Sequence, residues 1–266
     1  MLSPENRERY QRQIGLPEIQ EQGQEQLGRS RVLLVGLGGL GSAIAASLCA
    51  AGVGFLRIVD SDRVELSNLN RQMLHWTGDV GREKTASARE KLAAMNPEVV
   101  LDPRQIVVTR ETVLELLRDC QVIIDGTDTL ESRRILNRAS LKTGLPLIYG
   151  GINGFNGMLS TFIPGRTPCF ECLFSTFGDI PEPPSVLGAT AGMVGSLQSL
   201  EAIKYLLGMH EDLLAGRLLL VQGRGMAFRE IRLEPNPACP ECGAKTRAPE
   251  SGIQFTGRNA QENGRA

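Results

Sequence analysis

An α/β fold with a doubly wound, mostly parallel sheet is what this sequence predicts, and three observations carry it. Apolar runs of strand length alternate with helix-length segments between Arg31 and Tyr149, the pattern of parallel strands joined by right-handed crossovers. Val32-Leu-Leu-Val35 runs into Gly36-Leu-Gly-Gly-Leu-Gly41, a strand closed by a G-x-G-x-x-G turn that opens onto a helix. A second strand then ends on Asp60, nineteen residues past Gly41, the spacing that sets a carboxylate against a ribose hydroxyl. Together these predict a Rossmann-like sheet.

The elements can be taken in chain order. Ser3-Pro4 is an N-cap with proline at the first helical position, so residues 1–28 read as a helical segment outside the sheet. Then come strand 32–36, helix 42–51, strand 55–60, helix 82–95, strand 99–108, helix 111–118, strand 122–126, helix 130–143 and strand 146–149. Past Gly150-Gly151 the turns shorten, and Gly157–Ile163 and Leu218–Leu233 predict antiparallel strands that continue the sheet. A helix is expected over Thr190–Leu207. The proline-rich stretch from Phe177 to Gly188 reads as a mobile lid or docking loop. Residues 245–266 are polar and pattern-free, and are expected as a disordered tail. The chain is thus expected as one domain over 1–244, with a nucleotide-binding half (30–150) and a metal-carrying half (151–244).

Composition excludes several classes. Lys plus Arg is 29 and Asp plus Glu is 30, a net charge of −1 that gives no sign of nucleic-acid or membrane binding. The uncharged run from Val32 to Leu56 imitates a membrane span, but six glycines interrupt it and its ends read as strands. The N-terminus lacks the apolar core of a secretory signal, and the expectation is a cytoplasmic protein.

The glycine loop (Gly36, Gly38, Gly39, Gly41) with Asp60 and Asp62 predicts a nucleotide, although a tight ligand-free turn would use the same glycines. The stretch Asp60-Ser-Asp-Arg-Val-Glu-Leu-Ser-Asn-Leu-Asn-Arg-Gln72 crowds the phosphate region with polar and cationic groups, and Lys84 comes soon after. Any one of Asn68, Arg71, Gln72 and Lys84 could be a solvated surface residue. Together they lie beyond the carboxyl end of a strand, where ligands bind in open α/β sheets. Asp128 lies just past the fourth strand and is a natural Mg²⁺ ligand, since an acid beside a triphosphate needs a cation between them. Asp125 is its rival, with the strand's pleat expected to bury it.

Cys169-Phe-Glu-Cys172 and Cys239-Pro-Glu-Cys242 make two C-x-x-C pairs. Four thiolates satisfy tetrahedral Zn²⁺ with no open position, which predicts a structural four-cysteine zinc site; redox-active pairs are the alternative. Cys49 reads as core, and Cys120 as lying at the end of the sheet opposite the crevice. His75 and His210 sit in no motif.

These residues resemble the bacterial relatives of ubiquitin-activating enzyme, the ThiF/MoeB/HesA group of sulfur-carrier adenylyltransferases. The likeness is carried by Arg9-Tyr-Gln-Arg-Gln-Ile14, the glycine loop, Asp60-Ser-Asp62, Leu66-Ser-Asn-Leu-Asn-Arg-Gln72, Gly126-Thr-Asp128, both C-x-x-C pairs and Gly195-Ser-Leu-Gln-Ser-Leu-Glu-Ala-Ile-Lys204, and covers roughly residues 7–243. It implies an enzyme that uses ATP and Mg²⁺ to adenylylate the C-terminal glycine of a small ubiquitin-like sulfur carrier ending in Gly-Gly, in a thiamine, molybdopterin or related pathway. By position, Asp60 would hold the ribose, Arg71 and Lys84 the phosphates, and Asp128 the Mg²⁺. Arg12 would reach into the ATP site of a partner subunit, since members of the group are homodimers.

A peptide carboxylate is already ionised at pH 7, so such a reaction needs no general base, which suits a site with Arg, Lys and Asp but no catalytic His or Ser. Two departures stand out. Thr129 replaces the group's usual asparagine, and Leu173–Ala238 holds no cysteine, where the thiamine and molybdopterin branches carry one. The expectation is an enzyme that stops at the acyl-adenylate, with sulfur from a separate sulfurtransferase or from sulfide. Two other readings compete: a nicotinamide-dependent oxidoreductase, which Arg71, Lys84 and Asp128 argue against, and a non-catalytic scaffold.

Overall fold

Strands that bury both faces need near-continuous apolar runs, and those runs set the architecture here. The computed structural model describes residues 2–175 and 185–243. Five strands run parallel: β1 (Arg31–Val35), β2 (Phe55–Val59), β3 (Val100–Arg104), β4 (Val122–Asp125) and β5 (Leu147–Asn153). Three more continue the sheet in antiparallel fashion: β6 (Asn156–Phe162), β7 (Arg217–Gln222) and β8 (Ala227–Arg232). The order is β3-β2-β1-β4-β5-β6-β7-β8. The strand order reverses at β1, so a crevice opens outside the carboxyl ends of β1 and β4, where open α/β sheets bind ligands.

The helices are α1 (Pro4–Arg9), α2 (Gln11–Ile14), α3 (Gln20–Arg29), α4 (Gly39–Ala51), α5 (Lys84–Met95), α6 (Val113–Leu116), α7 (Leu130–Thr143), α8 (Phe170–Phe174) and α9 (Gly188–Leu206). Alternate residues of each strand feed two cores. Val32, Leu34, Leu56, Ile58, Val122 and Ile124 pack with Ile44 and Leu48 of α4, Leu92 of α5 and Val194 of α9. On the other face Leu33, Val35, Ile123, Leu147 and Tyr149 pack with Leu116 of α6, Leu136 of α7 and Phe170 of α8. The sheet is therefore doubly wound, with antiparallel members at one end, as expected. One close approach shapes the crevice wall. A Cβ on Gly195 would sit 2.7 Å from the Leu40 carbonyl, so its absence lets α9 press onto the first turn of α4.

Several boundaries differ from the sequence reading, each for a local reason. The helix after the glycine loop begins at Gly39, because Gly38 is its N-cap. The expected helix 111–118 shortens to Val113–Leu116, and Asp119 beyond it turns left-handed at φ +64°. The expected strand 99–108 ends at Arg104; it is the sheet's edge, where Pro103 is tolerated. β5 runs on through Gly150-Gly151 instead of stopping. Gly150 serves packing there, since a Cβ would lie 2.4 Å from the side chain of Gln198 on α9. Leu218–Leu233 resolves into the β7–β8 hairpin. No described helix is long and apolar enough to cross a membrane. Residues 177–184 of the expected lid and the tail 245–266 lie outside the described residues.

Candidate functional site

The glycine loop is held shut by backbone approach. Gly36 has φ +92°, and a Cβ on it would lie 2.5 Å from the Gly126 carbonyl oxygen. A Cβ on Gly41 would meet the Gly36 oxygen at 1.8 Å. Gly38 is different: the nearest atom to its Cβ position is Gln72 Nε2 at 3.7 Å, so it stays open to the crevice. The first N–H groups of a helix lack intrahelical partners, and in α4 they belong to Gly38–Gly41, an arrangement suited to an anion.

Leu37 is clamped on both sides. Its N–H donates to Asp60 Oδ2 at 2.7 Å, and its carbonyl lies 3.1 Å from His75 Nε2. A carbonyl only accepts, so Nε2 carries the proton and Nδ1 accepts from Ser87 Oγ at 2.9 Å. Burial holds this histidine below its usual pKa.

Asp60 directly follows β2 and Lys84 begins α5, and the two side chains meet. Lys84 Nζ lies 2.8 Å from Asp62 Oδ2 and 4.0 Å from Asp60 Oδ1. Asp60 Oδ1 also accepts from Asp62 N at 2.8 Å. Burial pushes the Asp60 carboxyl up against the opposing pull of Lys84. The Asp62 side chain is 64% exposed while that of Lys84 is 7% exposed, so Asp62 is the partner that Lys84 can exchange for a phosphate.

Arg71 is half-buried beside the loop, its Cγ 3.6 Å from where a Cβ on Gly39 would be. Its guanidinium bonds the Ser67 carbonyl at 2.9 Å and Asn70 Oδ1 at 3.1 Å. Gln72 is buried, and its Oε1 has no hydrogen-bond partner, an orphan pointing to a ligand group at this wall. Asn68 turns inward: its Oδ1 accepts from Glu65 N at 3.1 Å and caps the 3-10 turn Leu66–Asn68.

Across the crevice, Asp128 is exposed with no hydrogen-bonded partner among the described residues. Asp125 is fully buried, its Oδ1 accepting from Thr127 N at 2.9 Å and Thr127 Oγ1 at 2.6 Å. The pleat thus separates the two as expected. A free carboxylate with phosphate and water oxygens is a donor set that Mg²⁺ favours, so Asp128 fits that ion and Asp125 does not.

Arg12 lies elsewhere. Its neighbour Gln13 donates to the Ala51 carbonyl at 3.1 Å, in the last turn of α4, whereas the glycine loop is at the first. Thirteen residues of α-helix span about 20 Å, so the exposed Arg12 is remote from the glycine loop of its own chain.

The four cysteines of the C-x-x-C pairs do come together, all four Sγ atoms within 4.8 Å of one another. Cys169–Cys172, Cys169–Cys239 and Cys172–Cys242 sulfurs are 3.9, 3.7 and 3.3 Å apart. Thiolates at about 2.3 Å from a tetrahedral zinc stand roughly 3.8 Å apart, so the cluster fits Zn²⁺. The second variable residue of each pair has its own role. Glu171 pairs with Arg134 at 3.2 Å and Glu241 with Arg138 at 2.7 Å, fixing both knuckles to adjacent turns of α7.

Sequence reasoning missed these arginines, and also His75 and Arg133. The repeated Cys-x-Glu-Cys and the basic residues four apart on α7 were a usable signal for the first. For His75, which is far in sequence from its Leu37 partner, there was none.

The ThiF family model matches residues 10–241. A sulfur carrier protein adenylyltransferase of Thermus thermophilus is 40% identical over 253 residues, 90% of this chain and 92% of that protein. The adenylyltransferase and sulfurtransferase MOCS3 of Anopheles gambiae is 41% identical over 244 residues, 88% of this chain. The match spans 54% of MOCS3, about half its length. Among solved structures, E. coli MccB in complex with MccA-N7isoASN superposes with a TM-score of 0.78 at 21% identity, covering 88% of this chain and 75% of that one, a likeness of fold.

Proposed function

The chain belongs to the ThiF family, and from that premise we propose that it adenylylates the C-terminal glycine carboxylate of a small ubiquitin-like sulfur-carrier protein, consuming ATP and releasing pyrophosphate. The observation that carries this reading is the crevice at the β1/β4 switch point. Supporting it there are the open turn at Gly38, Arg71 beside Gly39, the Lys84–Asp60 pair, and Asp128, exposed two residues past the Gly126 that packs on Gly36. In the reaction a carboxylate oxygen of the carrier attacks the α-phosphorus. The new O–P bond forms as the bond to the oxygen bridging the β-phosphorus breaks, and pyrophosphate leaves with that electron pair. The first N–H groups of α4, Arg71 and Lys84 hold the phosphates where charge develops, and Asp60 takes the ribose. Asp128 would hold the Mg²⁺, which when bound would offset negative charge on the phosphates.

The chain works as a cytoplasmic homodimer, with Arg12 reaching the partner's phosphates. It stops at the acyl-adenylate, and a separate sulfurtransferase or sulfide completes the transfer. Support for the latter comes from the thiols: Cys49 is fully buried and burial raises it to about 11, Cys120 is buried and also raised, and the others face one another in the metal cluster. The test is ATP–pyrophosphate exchange with a panel of carriers ending in Gly-Gly. Exchange should need Mg²⁺ and a free carrier carboxylate. Binding of NAD in place of ATP, with no exchange for any carrier, would overturn the reading.

A further inference from the structure

Asp128 leaves the sheet on a segment of only three residues, and that segment is held from both ends. Gly126 N donates to the Val35 carbonyl at 2.8 Å, and a Cβ on Gly126 would lie 2.8 Å from the Gly36 oxygen, so its position is locked to the glycine loop. Thr127 uses both its N–H and its hydroxyl on buried Asp125. Its carbonyl accepts from Arg133 Nη2 at 3.0 Å, and the same nitrogen lies 3.4 Å from the Gly150 carbonyl of β5. The Arg133 guanidinium stands over the Tyr149 ring at 5.2 Å, and its Nε is 3.6 Å from Asp125 Oδ2. That last separation is too long for a hydrogen bond, and both atoms lack any other partner. Arg133 therefore does two things at once. It offsets the charge of Asp125, and it ties the first turn of α7 to the carboxyl end of β4 and the middle of β5.

We infer that Arg133 is a positioning residue for the metal-holding carboxylate, acting through Thr127 to set where Asp128 meets the cation on the ATP phosphates. The inference rests on the reading under Proposed function. It explains why a buried ion pair with imperfect geometry sits directly behind an exposed acid. A neutral packing solution would serve stability as well, but would not pin the carbonyl that precedes Asp128.

The test uses the whole chain carrying Arg133→Lys, which keeps the charge beside Asp125 but loses the planar fork. Outer partners of metal ligands typically contribute about 10–100-fold in metal affinity. The Mg²⁺ concentration giving half-maximal ATP binding and half-maximal exchange should thus rise at least tenfold, with the carrier KM and the melting temperature little changed. In an Asp128→Asn background, Arg133→Lys should add no further rise, because the two act as a unit. Should Arg133→Lys fail to fold, the neutral pair Asp125→Asn with Arg133→Gln replaces it, with the same rise expected. A lowered melting temperature with an unchanged Mg²⁺ requirement, in either variant, makes Arg133 merely structural and overturns the inference alone. Wild-type protein that shows no Mg²⁺-dependent ATP binding overturns the functional reading, and the inference falls with it.

Discussion

Lys84 and Asp128 stand in opposite surroundings, and their removal should differ accordingly. Asp128 is exposed and unpartnered among the described residues, so Asp128→Ala should lower exchange by about 10²–10³-fold, comparable to loss of one charge-stabilising group, while the melting temperature stays put. Lys84 is buried beside Asp60, so Lys84→Ala should cost as much activity and also lower the melting temperature, because a buried carboxylate loses its cation. Equal melting temperatures for the two variants would contradict that placement. A second residue-scale prediction concerns acid. Burial alone would raise Asp79, but its hydrogen bonds from Lys91 and from Trp76 N bring it down to about 2 from 3.8. Its contribution, on the order of 2 kcal/mol, is present above the unfolded value and lost as pH falls towards 2. His75, lowered by burial, loses stability as pH falls through its ordinary value, because the unfolded chain takes up a proton that the native one refuses. Melting temperature against pH should therefore fall in two steps, with Asp79→Asn flattening the lower step and His75→Gln the upper. Asp60 and Asp125, raised by burial, act with the opposite sign. Asp102, which burial would raise but Arg57 and Arg104 hold low, acts with the same sign as Asp79, and comparison of each variant with wild type cancels all three. At this scale the sequence showed residue types next to a strand end, enough to single out Asp60, Arg71, Lys84 and Asp128 as candidates. It did not show that Lys84 would be held by Asp62, or that Asn68 would turn inward as a cap, because both depend on side-chain direction.

The crossover from β1 to α4 separates glycines needed by the chain from one that the chain itself leaves open. Gly41→Ala places a Cβ 1.8 Å from a carbonyl oxygen, an overlap that only backbone movement relieves, and the fold should be lost. Gly38→Ala meets nothing closer than 3.7 Å, so it should fold within about 1 kcal/mol of wild type, as for an ordinary N-cap change, yet bind ATP more weakly. Thermal melts and ATP titration of the pair would check this, and normal ATP affinity in Gly38→Ala would move the phosphates off the loop. The four-cysteine knuckles make a similar element-scale prediction. Metal analysis should find about one zinc per chain, and chelation should lower the melting temperature before exchange activity falls. Strands and long helices were legible because period and glycine placement are local. The early end of α6 and the continuation of β5 through two glycines were not: the first goes with the left-handed turn at Asp119, and the second is decided by a distant partner, as Gln198 decides Gly150.

The whole molecule raises the question of where Arg12 acts. The chain places the neighbouring residue Gln13 against the last turn of α4, about a helix length of some 20 Å from the loop that would hold the phosphates. Rotamer change spans a few ångströms, so the N-terminal helices would have to leave α4 for Arg12 to serve its own site. They are anchored there by Gln13 on Ala51 and by Gln24 on the same carbonyl, and by Tyr10, buried under Gly52 and bonded to Asn96. In the proposed homodimer, a neighbour related by two-fold symmetry would reach the site without breaking any of these. In a dimer of one Arg12→Ala subunit and one Lys84→Ala subunit, one site has both residues and the other has neither. After random exchange of equal amounts, half the dimers are mixed, so about a quarter of wild-type exchange activity should return from two inactive parents if the assembly is a closed pair. Recovery should track the kinetics of subunit exchange, measured independently with labelled chains. If labelled mixed dimers form and activity stays at the level of the parents, Arg12 does not act across the interface.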